Sequence, residues 1–180
     1  MVSHASVIGI AWPMTLAFLT TPILGLVDTG VVGRMGSPAL LGGLAVGAIL
    51  FDIIFTSFNF LRASTTALVA QAMGTQDNKT EGVVLIRSLI ISLVGGLAVL
   101  VLSSWVMTAG LWAMGVPGQV AQATAAYFSI RILAAPLTLI NYTILGWMLG
   151  LGRSGLGLFL QTVLNGVNIV LSLWLGLALG

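Results

Sequence analysis

The sequence predicts an all-α membrane protein, a polytopic bundle of transmembrane helices. Three observations carry that prediction. Of 180 residues, 58% are hydrophobic and 6% charged, against about 25% charged in a soluble domain. Mean hydropathy is +1.15. Uncharged apolar stretches long enough to cross a bilayer run over residues 5–27, 88–130, 132–152 and 154–180. Disorder requires low hydrophobicity and high charge, so it is excluded. The net charge is +2 with no Lys/Arg cluster, so the footprint of a nucleic-acid binder is missing. With no Cys, disulfides, thiolate metal sites and Cys nucleophiles fall away. A transmembrane β-barrel would show stretches of about ten residues in strict alternation. Continuous runs such as Leu97–Leu102 do not alternate, so helices are expected.

Five helices follow, over 6–33, 39–73, 83–109, 119–148 and 155–178. Each exceeds the roughly 20 residues that a span needs, and the surplus implies tilt, kinks or protruding ends. The first helix holds Pro13 and Pro22. Each removes an N–H and crowds the carbonyl four residues earlier, at Gly9 and Phe18. Thr20 and Thr21 stand where hydroxyls could re-satisfy such groups. No Lys or Arg precedes this helix, and it outruns a signal peptide's apolar region, so it is retained in the mature protein. The second helix carries Asp52 and Arg62. The long run 88–130 is divided by a turn at Gly115, Val116-Pro117 and Gly118, which separates the third helix from the fourth. The fifth runs apolar to Gly180, as expected of a sequence that is part of a longer protein.

The connections are short: 34–38, 74–82 and 151–154 around the uncharged 110–118 turn. The only dense polar cluster is Thr75-Gln76-Asp77-Asn78-Lys79-Thr80-Glu81. Lys79, Arg87 and Arg153 fall on one side and Arg34 on the other. The positive-inside rule then places the 2–3 and 4–5 loops and the N-terminus in the cytoplasm.

Asp28, Asp52, Arg62 and Arg131 lie inside spans, where a charge costs roughly 2.5–3.5 kcal/mol on the insertion scale. Such residues face a bundle interior or a water cavity and mark ion or substrate paths. The plain structural reading is snorkelling, open to the two Arg, or an ion pair between helices. Thr21, Gly25 and Asp28 are spaced i, i+4, i+7 and share a stripe. The small Gly25 leaves room beside the carboxylate for an ion, a water or a ligand. Withdrawal from water favours a proton on Asp28, and a nearby cation such as Arg62 favours the charge; both remain open. Asp52, Thr56 and Asn59 share a stripe of the second helix, with Arg62 adjacent. Asn165, Asn168 and Ser172 share one on the fifth. A polar cavity among the first, second and fifth helices is the functional expectation, and interhelical hydrogen-bond glue the structural one. Gly43/Gly47, Gly146/Gly150 and Gly176/Gly180 are small-xxx-small pairs that favour close helix packing. His4 sits alone near the terminus, no catalytic constellation or phosphate loop occurs, and no enzyme, cofactor or metal centre is expected.

Three stretches carry a family resemblance. The first helix reads Trp12-Pro13, then Gly25-Leu26-Val27-Asp28-Thr29-Gly30-Val31-Val32-Gly33. The second reads Asn59-Phe60-Leu61-Arg62-Ala63-Ser64-Thr65-Thr66-Ala67-Leu68-Val69-Ala70-Gln71-Ala72-Met73-Gly74. The fourth holds Tyr127, Arg131, Pro136, Asn141, Gly146-Trp147 and Gly150. Together they resemble the multidrug and toxic compound extrusion (MATE) family, in its bacterial DinF-like branch. The resemblance implies the first five of twelve helices, part of the N-terminal six-helix lobe. It implies an H+- or Na+-driven antiporter of the bacterial inner membrane that exports amphipathic, often cationic compounds and needs a second lobe. It also implies Asp28 as the coupling carboxylate and Pro13 as a bending point. Many relatives read Asn-x-x-x-Asp on the fifth helix. Here the matching residues are Asn168 and Ser172, which weakens a sodium site at Asp28 and Asn168. A lipid-linked precursor flippase of the same superfamily and a non-transporting membrane protein are the alternatives.

Overall fold

The computed structural model describes residues 4–178. The side chains of residues 4–7, 10, 14, 17, 18, 20, 21, 177 and 178 fall outside that description, and with them the readings on His4, Thr20 and Thr21. Gly180 lies outside it too. Among the described residues seven α-helices run in order: α1 His4–Arg34, α2 Pro38–Ser57, α3 Asn59–Gly74, α4 Asn78–Ala113, α5 Gly118–Arg131, α6 Ala135–Gly150 and α7 Ser154–Ala178. Among the described residues, four helical stretches are long and apolar enough to cross a membrane: Pro38–Gly74, Asn78–Ala113, Gly118–Gly150 and Ser154–Gly176. The fold is all-helical, as the composition requires.

Two expected helices are broken, and a third starts early. The second is interrupted after Ser57. The Ser57 hydroxyl donates to the Ile53 carbonyl at 2.9 Å, which competes with the helical ladder. Phe58 N–H then bonds only three residues back, to Phe55 at 3.1 Å, and Leu61 N–H likewise to Phe58 at 3.0 Å. The stripe Asp52–Thr56–Asn59, which assumes one unbroken helix, therefore does not continue across the break. The fourth helix tightens into a 3₁₀ turn at Ile132–Ala134. Pro136 follows directly, and its ring crowds the Ile132 carbonyl that an α-turn would use. The third helix begins at Asn78 and not at 83. Asp77 caps it by accepting from Thr80 N–H at 3.0 Å and from the Thr80 hydroxyl at 2.5 Å. Most of the polar cluster is thus the first turn of α4. Each turn between spans reverses through one left-handed residue: Gly36 (φ 67°), Gln76 (φ 56°), Gly115 (φ 58°) and Gly152 (φ 69°).

The chain divides into two compact units. One pairs α1 with α7. Their seam is close: a Cβ added at Gly176 would lie 2.2 Å from a Val31 methyl.

The other unit holds α2 to α6, with α2 packed on α5, and α3, α4 and α6 packed on one another. Its core is Leu50, Phe51, Ile54, Phe128, Ile132 and Ala135. Phe51 stacks on Phe128 with ring centroids 4.8 Å apart. Small residues let the backbones approach. A Cβ at Gly43 would meet the Ala123 backbone at 2.9 Å, and one at Gly146 would meet the Arg62 carbonyl at 2.6 Å. Hydroxyls add glue: the single proton of the Thr66 hydroxyl lies between the Arg62 and Gly146 carbonyls, which are 2.8 and 3.0 Å from its oxygen, and buried Ser92 and Thr143 bond each other across α4 and α6. The outer face of α4 shows Ile86, Ile90, Val94, Val101, Trp105 and Trp112, an apolar stripe suited to lipid.

Candidate functional site

Asp28 lies on the last third of α1, half-buried. The α1–α7 pairing brings it against Ser172, whose hydroxyl donates to Asp28 Oδ1 at 2.9 Å. The same hydroxyl lies 3.4 Å from Asn168 Oδ1, one turn back on α7. A hydroxyl has one proton, so it serves one acceptor at a time, and the carboxylate is the nearer. The three groups form a chain of oxygens: Asp28, Ser172, Asn168. If Asp28 takes up a proton, its own O–H can donate to Ser172, and the Ser172 proton turns to Asn168.

The rest of that stripe frames the carboxylate. Thr29 beside it donates to the Gly25 carbonyl at 2.8 Å, and a Cβ at Gly25 would meet nothing within 4 Å. The Thr21 side chain is outside the description. On α7, Gln161 donates to Asn165 Oδ1 at 3.2 Å, and Asn165 is buried. Pro13, half-buried on α1, leaves the Gly9 carbonyl without its helical donor, and the Ser154 hydroxyl at the start of α7 reaches that carbonyl at 3.4 Å. Sequence reasoning looked to nearby threonines for such a donor. Ser154 is 145 residues away, so no local signal marked it.

The remaining candidates belong to the α2–α6 unit and form two groups. Arg62 on α3 lies over the Tyr142 ring of α6, 5.8 Å from its centroid. Asp52 on α2, exposed, is near enough to act electrostatically on the same Tyr142. Asn59, half-buried, opens α3. Arg131 donates to the Tyr127 hydroxyl and sits 5.0 Å from the Phe51 centroid and 5.5 Å from that of Tyr127. Both Arg side chains therefore rest on aromatic faces, where a cation is stabilised by the ring quadrupole. Neither Tyr142 nor the Phe51–Tyr127 pair was among the expected site residues. A span Arg needs a partner, but sequence spacing does not say which helix supplies it. Among the described residues, no group of three or more His, Cys, Asp or Glu could hold a metal ion.

Apolar helices closed by small-residue seams, with carboxylate, amide and guanidinium groups along them, define a polytopic membrane protein. The chain belongs to the MatE family, whose family model matches residues 13–174. It is 38% identical, over 94% of its length, to DNA damage-inducible protein F of Escherichia coli (strain K12), of which it covers 37%. It is 28% identical, over 89% of its length, to a probable multidrug resistance protein NorM of Caulobacter vibrioides, of which it covers 34%. The chain thus spans about a third of the length of these relatives. An outward-facing multidrug resistance MATE family transporter shares the fold with a TM-score of 0.88 at 21% identity, over 97% of this chain and 39% of that one.

Proposed function

We propose that this chain forms part of a cation-coupled antiporter that exports amphipathic, cationic organic compounds across the bacterial cytoplasmic membrane. The observation that carries the reading is the Asp28–Ser172–Asn168 chain on α1 and α7. A half-buried carboxylate on an apolar helix, bonded to a hydroxyl that has a second acceptor behind it, can bind and release a proton. The same arrangement offers a sodium ion one carboxylate, one hydroxyl and one amide oxygen, so the proton is the favoured coupling ion. Protonation removes the negative charge from α1. A cationic substrate that needs that charge is then released, and deprotonation on the other side restores the site. The cycle needs a second lobe against which this one works. The positive-inside rule applied to Lys79, Arg87 and Arg153 supports a cytoplasmic N-terminus.

The test uses the full-length protein in proteoliposomes with an imposed pH gradient and a fluorescent organic cation. Asp28→Asn should abolish gradient-driven export at normal expression and folding. Unchanged export would remove Asp28 from the mechanism.

A further inference from the structure

Pro13 weakens α1 in a definite way: it cannot donate to the Gly9 carbonyl. Two turns of α1 feel this. Thr15 on the far side of the proline turns its hydroxyl back onto the Ala11 carbonyl at 3.0 Å, a bond that loosens and bends helices. The Gly9 carbonyl, on the near side, receives the Ser154 hydroxyl of α7 at 3.4 Å. Ser154 is 4% exposed, so water is a poor substitute there. Its position is informative. Ser154 is the first residue of α7, one past the capping position held by Arg153, so its hydroxyl is not committed to a first-turn N–H. Here that turn is closed by main chain alone: Leu156 and Gly157 N–H both reach the Arg153 carbonyl, at 3.1 and 3.3 Å. The Ser154 hydroxyl is left to serve α1.

We infer that Ser154 is a clasp on the proline hinge of α1, a positioning residue that replaces the hydrogen bond Pro13 removes and so sets the resting bend of that helix. Any motion of α1 about Pro13 must stretch or release this bond. Because the donor opens α7, the bend of α1 is tied to the 151–153 turn that leads into that helix. Asp28 lies fifteen residues beyond the hinge, about 22 Å along the axis. Its contact with Ser172 is a separate tie between the same two helices.

The inference predicts a specific dependence between two residues that need not touch. Removing Ser154 should matter only while residue 13 cannot donate. In Pro13→Ala the new N–H bonds Gly9 itself, and the clasp becomes redundant. The experiment is a double-variant cycle in the full-length protein on a cysteine-free background. Spin labels are placed at Ile8→Cys and Leu26→Cys, both exposed and flanking Pro13, and their distance distribution is read by pulsed electron resonance. Ser154→Ala should raise the population away from the parental distance about two- to twelvefold, the worth of one net hydrogen bond. The same change in Pro13→Ala should leave the distribution within error of that background. Ser154→Thr, which keeps a hydroxyl, should restore the parental distribution in the Pro13 protein. Equal shifts in both backgrounds, or no shift with Pro13 present, overturn the clasp. If Ser154→Ala fails to fold, folding of the Pro13→Ala/Ser154→Ala double variant supports it and failure of both overturns it. The readout is the bend and not transport, so a negative result leaves the coupling role of Asp28 untouched.

Discussion

Gly96 is the point where α4 crosses the kinked fourth span, and its replacement gives a sharp test of the packing. A Cβ added there would lie 2.3 Å from Pro136 Cα and 2.8 Å from Pro136 N. Carbon atoms pack at about 3.5–4.0 Å, so Gly96→Ala must open the crossing by roughly 1.2 Å or more. No flexible side chain can yield, because the obstacle is backbone whose φ the proline ring fixes. Overpacking a tight interior costs about 1–3 kcal/mol, and the better helix propensity of Ala returns at most about 1 kcal/mol. Net destabilisation of about 1–2 kcal/mol is expected. Gly82, also on α4, is the control, because a Cβ there meets nothing within 4 Å. Gly82→Ala should gain up to about 1 kcal/mol from propensity alone. Both are read by denaturant titration of the purified full-length protein in micelles. Equal midpoints for the two variants would show that α4 and the Pro136 kink are not in contact, and the argument from small-residue seams would fail with them.

Two further predictions concern the candidate site and the polar turn. Ser172→Asp places a second carboxylate beside Asp28 and Asn168, and should make transport in proteoliposomes more responsive to sodium than the parent's; an unchanged sodium response would show that Ser172 does not set the ion. At the turn, the Thr80 hydroxyl and then its N–H hold the Asp77 carboxyl below its usual value of 3.8. A carboxyl depressed by folding stabilises the native state above its unfolded value and loses that contribution as pH falls through the lower folded one. The thermal midpoint of Asp77→Ala should therefore lie below the parent at about pH 6, and the gap should narrow as the pH falls below the usual carboxyl value and through the depressed folded one; a constant gap would mean that the charge of the cap is irrelevant.

The class of fold was open to reading in composition and run length alone, because lipid imposes one solution on a long apolar segment. The interruptions were less open. The fourth helix was expected unbroken over 119–148, though Pro136 gives a physical reason for the 3₁₀ turn at 132–134; the break at Ser57 rests on one hydroxyl choosing the Ile53 carbonyl, a choice that serines inside helices do not always make. The start of α4 at Asn78 was written in Asp77 and Thr80, a cap hidden by the polarity of its neighbours. At the site, Asp28 and its i, i+4, i+7 companions follow from helical period. Its partner Ser172 was named as one polar residue among several on the fifth helix, but that α1 and α7 pair was not derivable from spacing. Tyr142 and the Phe51–Tyr127 pair were invisible for the same reason: aromatic residues in a membrane span serve lipid, core and cation alike.

The hydrogen bond between Asp28 and Ser172 joins residues 144 apart in the chain, and this has a consequence for biogenesis. At a synthesis rate of about 5–20 residues per second, roughly 7–29 s pass between the emergence of α1 and that of its partner. Throughout that interval the first helix is in or at the membrane with its carboxylate unserved by Ser172 and its Gly9 carbonyl unserved by Ser154. The α2–α6 unit, whose contacts are closed among neighbouring spans, is complete before α7 is made. Of the helices described, the last to be made is thus the one that satisfies the first, and a nascent chain halted between them would hold a finished α2–α6 unit while its first helix is still exposed to quality control.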